Sequence, residues 1–154
     1  MPLLHGLNHL ALVTNDMDRL IRFYTDVFDA EVIDDMTEGD LRHVLLDLGG
    51  GLVLHPFQFQ DGNPSGAGSA AMFERGHLDH FGMNVADVDT FELLRTRLVE
   101  AGASDGTVTD FGITRNVWFQ DPDGMGCEIA MWMDAPMRSF EDRGQESYRR
   151  TAAR

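Results

Sequence analysis

Asn8-His9-Leu10-Ala11-Leu12-Val13-Thr14-Asn15-Asp16-Met17-Asp18 can be laid over Asp79-His80-Phe81-Gly82-Met83-Asn84-Val85-Ala86-Asp87-Val88-Asp89, 71 residues further along the chain. Both stretches begin with a short apolar strand pattern and continue through an aspartate in N-cap position into residues of helical period. Asp16 is placed to cap a helix to about residue 28, and Asp87 one to about residue 100. Ala30 and Ala101 close the two helices at the same offset, and Gly102 suits the left-handed residue after the second. The chain therefore reads as an internal repeat.

Strand patterns follow each helix. In the first half they cover about 31–36, 41–48 and 51–59, broken by Glu38-Gly39-Asp40 and Gly49-Gly50-Gly51. In the second they cover about 104–110, 114–121 and 126–133, broken by Phe111-Gly112 and Asp121-Pro122-Asp123-Gly124. Glycine and Asp-Gly breakers between β-branched and aromatic runs mark hairpins. The expected fold class is α+β, with two βαβββ modules at 1–60 and 77–133 in one structural domain. Residues 61–76 read as a connecting loop. Residues 134–154 hold five of the twelve arginines and read as a polar tail: flexible, coiled into one helical turn, or packed on a partner.

Strand parity then places the chemistry, because successive side chains point to opposite faces. Leu10 and Leu12 would face the helix, leaving His9, Ala11 and Val13 opposite; Phe81, Met83 and Val85 likewise leave His80, Gly82 and Asn84. In the last strand Ile129 and Met131 suit the core and leave Glu128, Ala130 and Trp132 on the other face. A single histidine in a strand is usually structural. Two at equivalent positions of a repeat, with a carboxylate on the matching face, form a candidate metal triad: His9, His80 and Glu128. Two imidazoles and one carboxylate leave coordination positions open for substrate, water or dioxygen. Gly51 precedes His55 by four residues as Gly124 precedes Glu128, which makes His55 the candidate mate of Glu128. It is either a fourth ligand or a catalytic acid/base suited to neutral pH; alternatively, His55-Pro56 merely ends or bulges an edge strand. Phe57, Phe59, Val117 and Phe119 are candidates for an apolar pocket wall, or for core packing. Arg115 could reach an anionic substrate group or form a surface salt bridge. His5, His43 and His77 carry no repeat signal, and His77 is a candidate for the pocket rim.

Composition limits the partners. The net charge of −14 disfavours nucleic acid and anionic membranes, which call for clustered cations. All twelve basic residues are arginine, so no lysine is present to form a Schiff base. The single cysteine, Cys127, rules out an intrachain disulfide and any multi-cysteine zinc site. No apolar run approaches the roughly 20 residues of a membrane span. Residues 1–6 lack the basic start and apolar run of a secretory signal, so a cytoplasmic location is the expectation.

On these residues the sequence resembles the vicinal oxygen chelate superfamily, which includes glyoxalases, extradiol dioxygenases, methylmalonyl-CoA epimerases, fosfomycin-resistance transferases and bleomycin-binding proteins. The resemblance covers residues 7–133. It is carried by Leu7-Asn8-His9-Leu10-Ala11-Leu12, Phe23-Tyr24-Thr25-Asp26-Val27-Phe28, and Phe119-Gln120-Asp121-Pro122-Asp123-Gly124 leading to Glu128. It implies a curved eight-stranded half-barrel, commonly in a homodimer, with one divalent metal on the first, fifth and eighth strands at His9, His80 and Glu128. Glyoxalases usually carry a glutamate where His55 aligns, and epimerases a glutamine. Extradiol enzymes usually place a tyrosine where this chain has Trp118, a further pocket candidate. The implied function is a metal-dependent enzyme on a small substrate that chelates through adjacent oxygens. An Fe2+ extradiol-type ring-cleaving dioxygenase is preferred, with Mn2+, Ni2+, Co2+ and Zn2+ as other metals. A glyoxalase-type lyase or isomerase is the first alternative; a non-catalytic, bleomycin-type drug-binding protein is the second.

Overall fold

The computed structural model describes residues 3, 6–62, 78–139 and 141–149. His5, His77 and most of the expected loop 61–76 lie outside them. The chain divides into two compact units: Met1–Ser69 with Pro122–Gly124, and Ala70–Asp121 with Met125–Arg154.

The first unit carries β1 (His9–Val13), α1 (Met17–Phe28), β2 (Glu31–Glu38), β3 (Leu41–Asp47) and β4 (Val53–Phe59). Its sheet has the order β1-β4-β3-β2, with β1 parallel to β4 and the other neighbours antiparallel. The Asp16 carboxylate accepts from Arg19 N–H and caps α1. Met17, Leu20, Tyr24 and Val27 give the helix a buried stripe, and Val44, Leu46, Leu54 and Pro56 are the buried residues of the sheet. Burying each such side chain contributes about 1.5–3 kcal/mol. β4 lies between β1 and β3, so His55-Pro56 does not end an edge strand. Proline has no N–H to give a ladder, and the β3–β4 pairing is interrupted between His43↔Phe57 and Leu46↔Leu54.

The second unit carries β5 (His80–Asn84), α2 (Val88–Glu100), β6 (Val108–Asp110), β7 (Thr114–Gln120), β8 (Gly126–Trp132) and β9 (Gly144–Glu146). Its sheet order is β5-β8-β7-β6-β9, with β5 parallel to β8. Asp87 caps α2 by accepting from Thr90 N–H, and Gly102 follows with φ 70°. Phe91 and Leu98 of α2 are fully buried, as are Val108, Val117, Phe119, Cys127 and Ile129 of the sheet.

The two units repeat in register. Adding 71 to the numbers of β1, and 73 to those of β3 and β4, reproduces the pairings of β5, β7 and β8: Ala11↔His55 becomes Gly82↔Glu128, and His43↔Phe57 becomes Asn116↔Ala130. The bond that closes each parallel pair repeats as well, Thr14 N–H to Phe57 O and Val85 N–H to Ala130 O. The α+β class with two repeated modules thus holds. Among the described residues the eight expected strands are joined by a ninth, in sheets of four and five strands with no closed barrel.

The ninth strand corrects the reading of the tail. β9 pairs with β6, and the nearly buried Arg95 of α2 fastens it there. The Arg95 guanidinium donates to Gly106 O (2.7 Å), to the carboxylates of Glu92 and Glu146 (both 3.1 Å), and to Glu146 O (3.1 Å). Gly106 is required beneath this clamp: a Cβ there would stand 2.5 Å from Val99 Cγ2 and 2.8 Å from Tyr148 Cβ. This turn also makes β6 shorter than the expected 104–110. The Ser104 hydroxyl donates to Trp118 O and accepts from Gly106 N–H, which bends residues 104–107 out of the sheet. Among the described residues no helix is long and apolar enough to cross a membrane.

Candidate metal centre

In the second unit, β5, β8 and β7 lie side by side and present one partly exposed face. Gly82, Glu128 and Trp118 are register mates across it, and the next row is Asn84, Ala130 and Asn116. His80 opens β5 on the same face. Its Nδ1 is 2.7 Å from Asp79 Oδ2. A carboxylate only accepts, so Nδ1 is the donor in this bond and Nε2 is the ring nitrogen outside it. Nε2 is 4.0 Å from Glu128 Oε2, beyond a hydrogen bond. Glu128 is itself oriented: Asn116 Nδ2 donates to Oε2 at 2.7 Å. The indole of Trp118 meets the His80 ring edge-on, with centroids 5.2 Å apart.

The first unit repeats this arrangement with different side chains. His9 opens β1, and its Nδ1 bonds to Asn8 Oδ1 at 2.8 Å, so here too Nε2 is the free ring atom. His55 stands on β4 where Glu128 stands on β8, with its ring 5.8 Å from that of His9. His43 occupies the place of Asn116, and its Nδ1 is 3.1 Å from His55 Nε2. Phe57 stacks on His43 at 5.6 Å and lies 4.2 Å from His55. Burial first, then the neighbouring His43 and His9, hold the His55 imidazole below its ordinary 6.5. His55 is therefore mainly neutral at pH 7, in the form that accepts a proton.

His80 and Glu128 are thus brought together in one unit, and His9 and His55 in the other. Among the described residues, no three His, Cys, Asp or Glu side chains converge tightly enough to enclose an ion. Of the expected pocket residues, Trp118 shares the face of Glu128, and Phe57 that of His55. Val117 and Phe119 do not: both are fully buried on the opposite side of β7, with Cys127 and Ile129 as register mates on β8. They belong to the core. Arg115 shares their parity, and its guanidinium bonds to Glu146 of β9 at 3.0 Å, the salt bridge rather than the anion contact of the two alternatives. Asn8, Asp79, His43 and Asn116 are the residues that the sequence reading assigned no role. Asn8 and Asp79 stand at equivalent places of the repeat and make the same contact to the following histidine, while His43 and Asn116 are equivalent by position with different side chains.

The family model of the Glyoxalase/Bleomycin resistance protein/Dioxygenase superfamily matches residues 6–129. No curated protein sequence matches. Among solved structures, a glyoxylase/bleomycin resistance protein/dioxygenase domain from Frankia sp. EAN1pec is 22% identical, with a TM-score of 0.72 over 85% of this chain and 94% of that one. A glyoxalase/bleomycin resistance protein/dioxygenase from Alicyclobacillus acidocaldarius is 18% identical, with a TM-score of 0.62 over 84% and 92% of the two chains. The fosfomycin resistance protein FosX from Listeria monocytogenes, complexed with Mn(II) and sulfate, is also 18% identical, with a TM-score of 0.60 over 86% and 96%. The repeated modules and the span of the family match agree: this chain belongs to the Glyoxalase/Bleomycin resistance protein/Dioxygenase superfamily.

Proposed function

We propose that this protein is a divalent-metal-dependent enzyme in which His9, His80 and Glu128 hold one ion, and that its substrate is a small molecule with two adjacent oxygens. One observation carries this reading. Asn8 and Asp79 occupy Nδ1 of the two repeat-related histidines, the outer-shell arrangement that fixes ring orientation and tautomer in metal-binding histidines. The donor set fits a first-row divalent metal with open positions. When bound, such an ion supplies Lewis-acid stabilisation of oxyanion charge on the substrate.

The chain's own groups would do the rest. Asn116 holds Glu128 in one rotamer. His55, kept neutral by burial and by neighbouring imidazoles, accepts a proton from a substrate hydroxyl and passes it to His43 through the 3.1 Å contact. That contact supports His55 as acid/base, because the ring can take a proton at Nδ1 while releasing the one on Nε2 to His43. With three protein ligands and a separate base, an iron(II) ring-opening dioxygenase acting on a catechol-like compound is the preferred reaction. The register equivalence of His55 with Glu128 favours the second reading, a glyoxalase-type lyase or isomerase with four ligands. Assembly as a homodimer belongs to the proposal as well.

The test is oxygen uptake with a set of catechols, using protein reconstituted anaerobically with Fe(II), Mn(II), Ni(II), Co(II) or Zn(II) in turn. Uptake that requires Fe(II) and disappears in His80→Ala supports the dioxygenase. No uptake with any metal sinks it and leaves the lyase or isomerase. Ligand binding unaffected by metal or by His80→Ala would instead support drug sequestration, which the charge of −14 suits for a cationic compound.

A further inference from the structure

Gly82 has no structural reason to be glycine. Its φ is not positive, and among the described residues a Cβ added to it would meet nothing within 4 Å. It is exposed, in the middle of a regular strand paired with β8, where glycine loses more entropy on folding than alanine would. A glycine inside a strand commonly marks close approach of a ligand or of another backbone. Here its missing side chain would lie beside Glu128, its register mate, and on the face of His80. Ala130, the next residue of β8 on that face, is also small. These two small residues flank Glu128 on this face, with Trp118 and Asn116 beside them on β7.

We propose that Gly82 is the position that sets the size of the substrate: the carbon skeleton of a flat, hydroxyl-bearing compound with adjacent oxygens lies across Gly82 and Ala130. The inference rests on the reading of His80 and Glu128 as metal ligands, and deepens it. It predicts opposite effects of one methyl group on stability and on binding. Gly82→Ala stiffens the unfolded chain without a clash, so the thermal midpoint rises or stays unchanged. The same substitution weakens the ligand, and Gly82→Leu weakens it further.

The experiment uses the full chain, Mn(II) alone, and then 4-nitrocatechol with Mn(II), followed through the absorption change on chelation. Wild type and both variants should bind Mn(II) with affinities within threefold of one another. Affinity for 4-nitrocatechol should fall about threefold in Gly82→Ala and at least tenfold in Gly82→Leu. Variants that bind nitrocatechol as wild type does overturn the inference, as does wild type that takes Mn(II) but shows no nitrocatechol complex. Wild type that takes no Mn(II) overturns the metal-centre reading beneath it, a failure seen before any ligand is added.

Discussion

Asp79→Ala should weaken divalent-metal binding roughly 10- to 100-fold, the usual cost of removing an outer-shell partner of a ligating histidine. The structural basis is the 2.7 Å contact between Asp79 Oδ2 and His80 Nδ1, with the carboxylate only 17% exposed. Without it the imidazole is free to rotate and to place its proton on Nε2, the atom needed for the metal. The loss corresponds to about 1.4–2.8 kcal/mol, since each tenfold is about 1.4 kcal/mol. The repeat supplies an internal standard. Asn8 makes the same contact to His9 with a neutral oxygen, at an exposed site, and a charge-assisted bond is roughly twice as strong as a neutral one. Asn8→Ala should therefore cost about half as much free energy, roughly threefold to tenfold in affinity. Asp79→Asn keeps an acceptor and should fall between wild type and Asp79→Ala. Isothermal titration with Mn(II) under nitrogen measures all four proteins, and thermal unfolding without metal checks that each is folded. An Asp79→Ala variant that binds as wild type does, or an Asn8→Ala variant that loses more than Asp79→Ala, would refute the reasoning.

Two further outcomes follow from the packing and the charges. Arg95→Met should strip β9 from β6 and lower stability by about 2–4 kcal/mol, because the buried Gly106 carbonyl loses its donor. The exposure of Glu146 and Glu92 keeps the loss below that of a fully buried pair. Chemical denaturation would measure it, and a change under about 1 kcal/mol would contradict the clamp. Stability should also fall as pH drops through and below 6.5. His55 binds its proton more weakly in the folded protein than in the unfolded chain, so the unfolded state holds more protons in that window and stability rises with pH. Asp35 and Asp87, both held below 3.8 (Asp35 by its bond to Arg42, Asp87 by the Thr90 N–H), titrate too low to contribute there. Denaturation midpoints at pH 5 and pH 8 should differ less in His55→Gln; an unchanged difference would clear His55 of the effect.

Much of this was legible from side-chain types and spacing. The repeat of Asn8–Asp18 in Asp79–Asp89 gave the two modules, the caps and the shared face of His80 and Glu128, because alternation and capping are local rules. Register was harder. Val117 and Phe119 look like pocket walls until β7 is threaded back from the turn at Asp121–Gly124, which makes Trp118 the mate of Glu128 and turns its neighbours inward. His43 was passed over because its role emerges only when the 73-residue offset of the hairpins, rather than the 71 of the first strands, aligns it with Asn116. Gly144–Glu146 carries no strand signal of its own. It is three residues long, and its Glu146 is held by an arginine 51 positions earlier in the chain.

The central claim is that His9, His80 and Glu128 hold one metal together, and the most direct measurement is metal content. Protein purified without oxygen or chelators, and then reconstituted, should carry about one divalent ion per chain. His9→Ala, His80→Ala and Glu128→Ala should each lose it. Metal retained in His9→Ala, or absent from reconstituted wild type, would contradict the account.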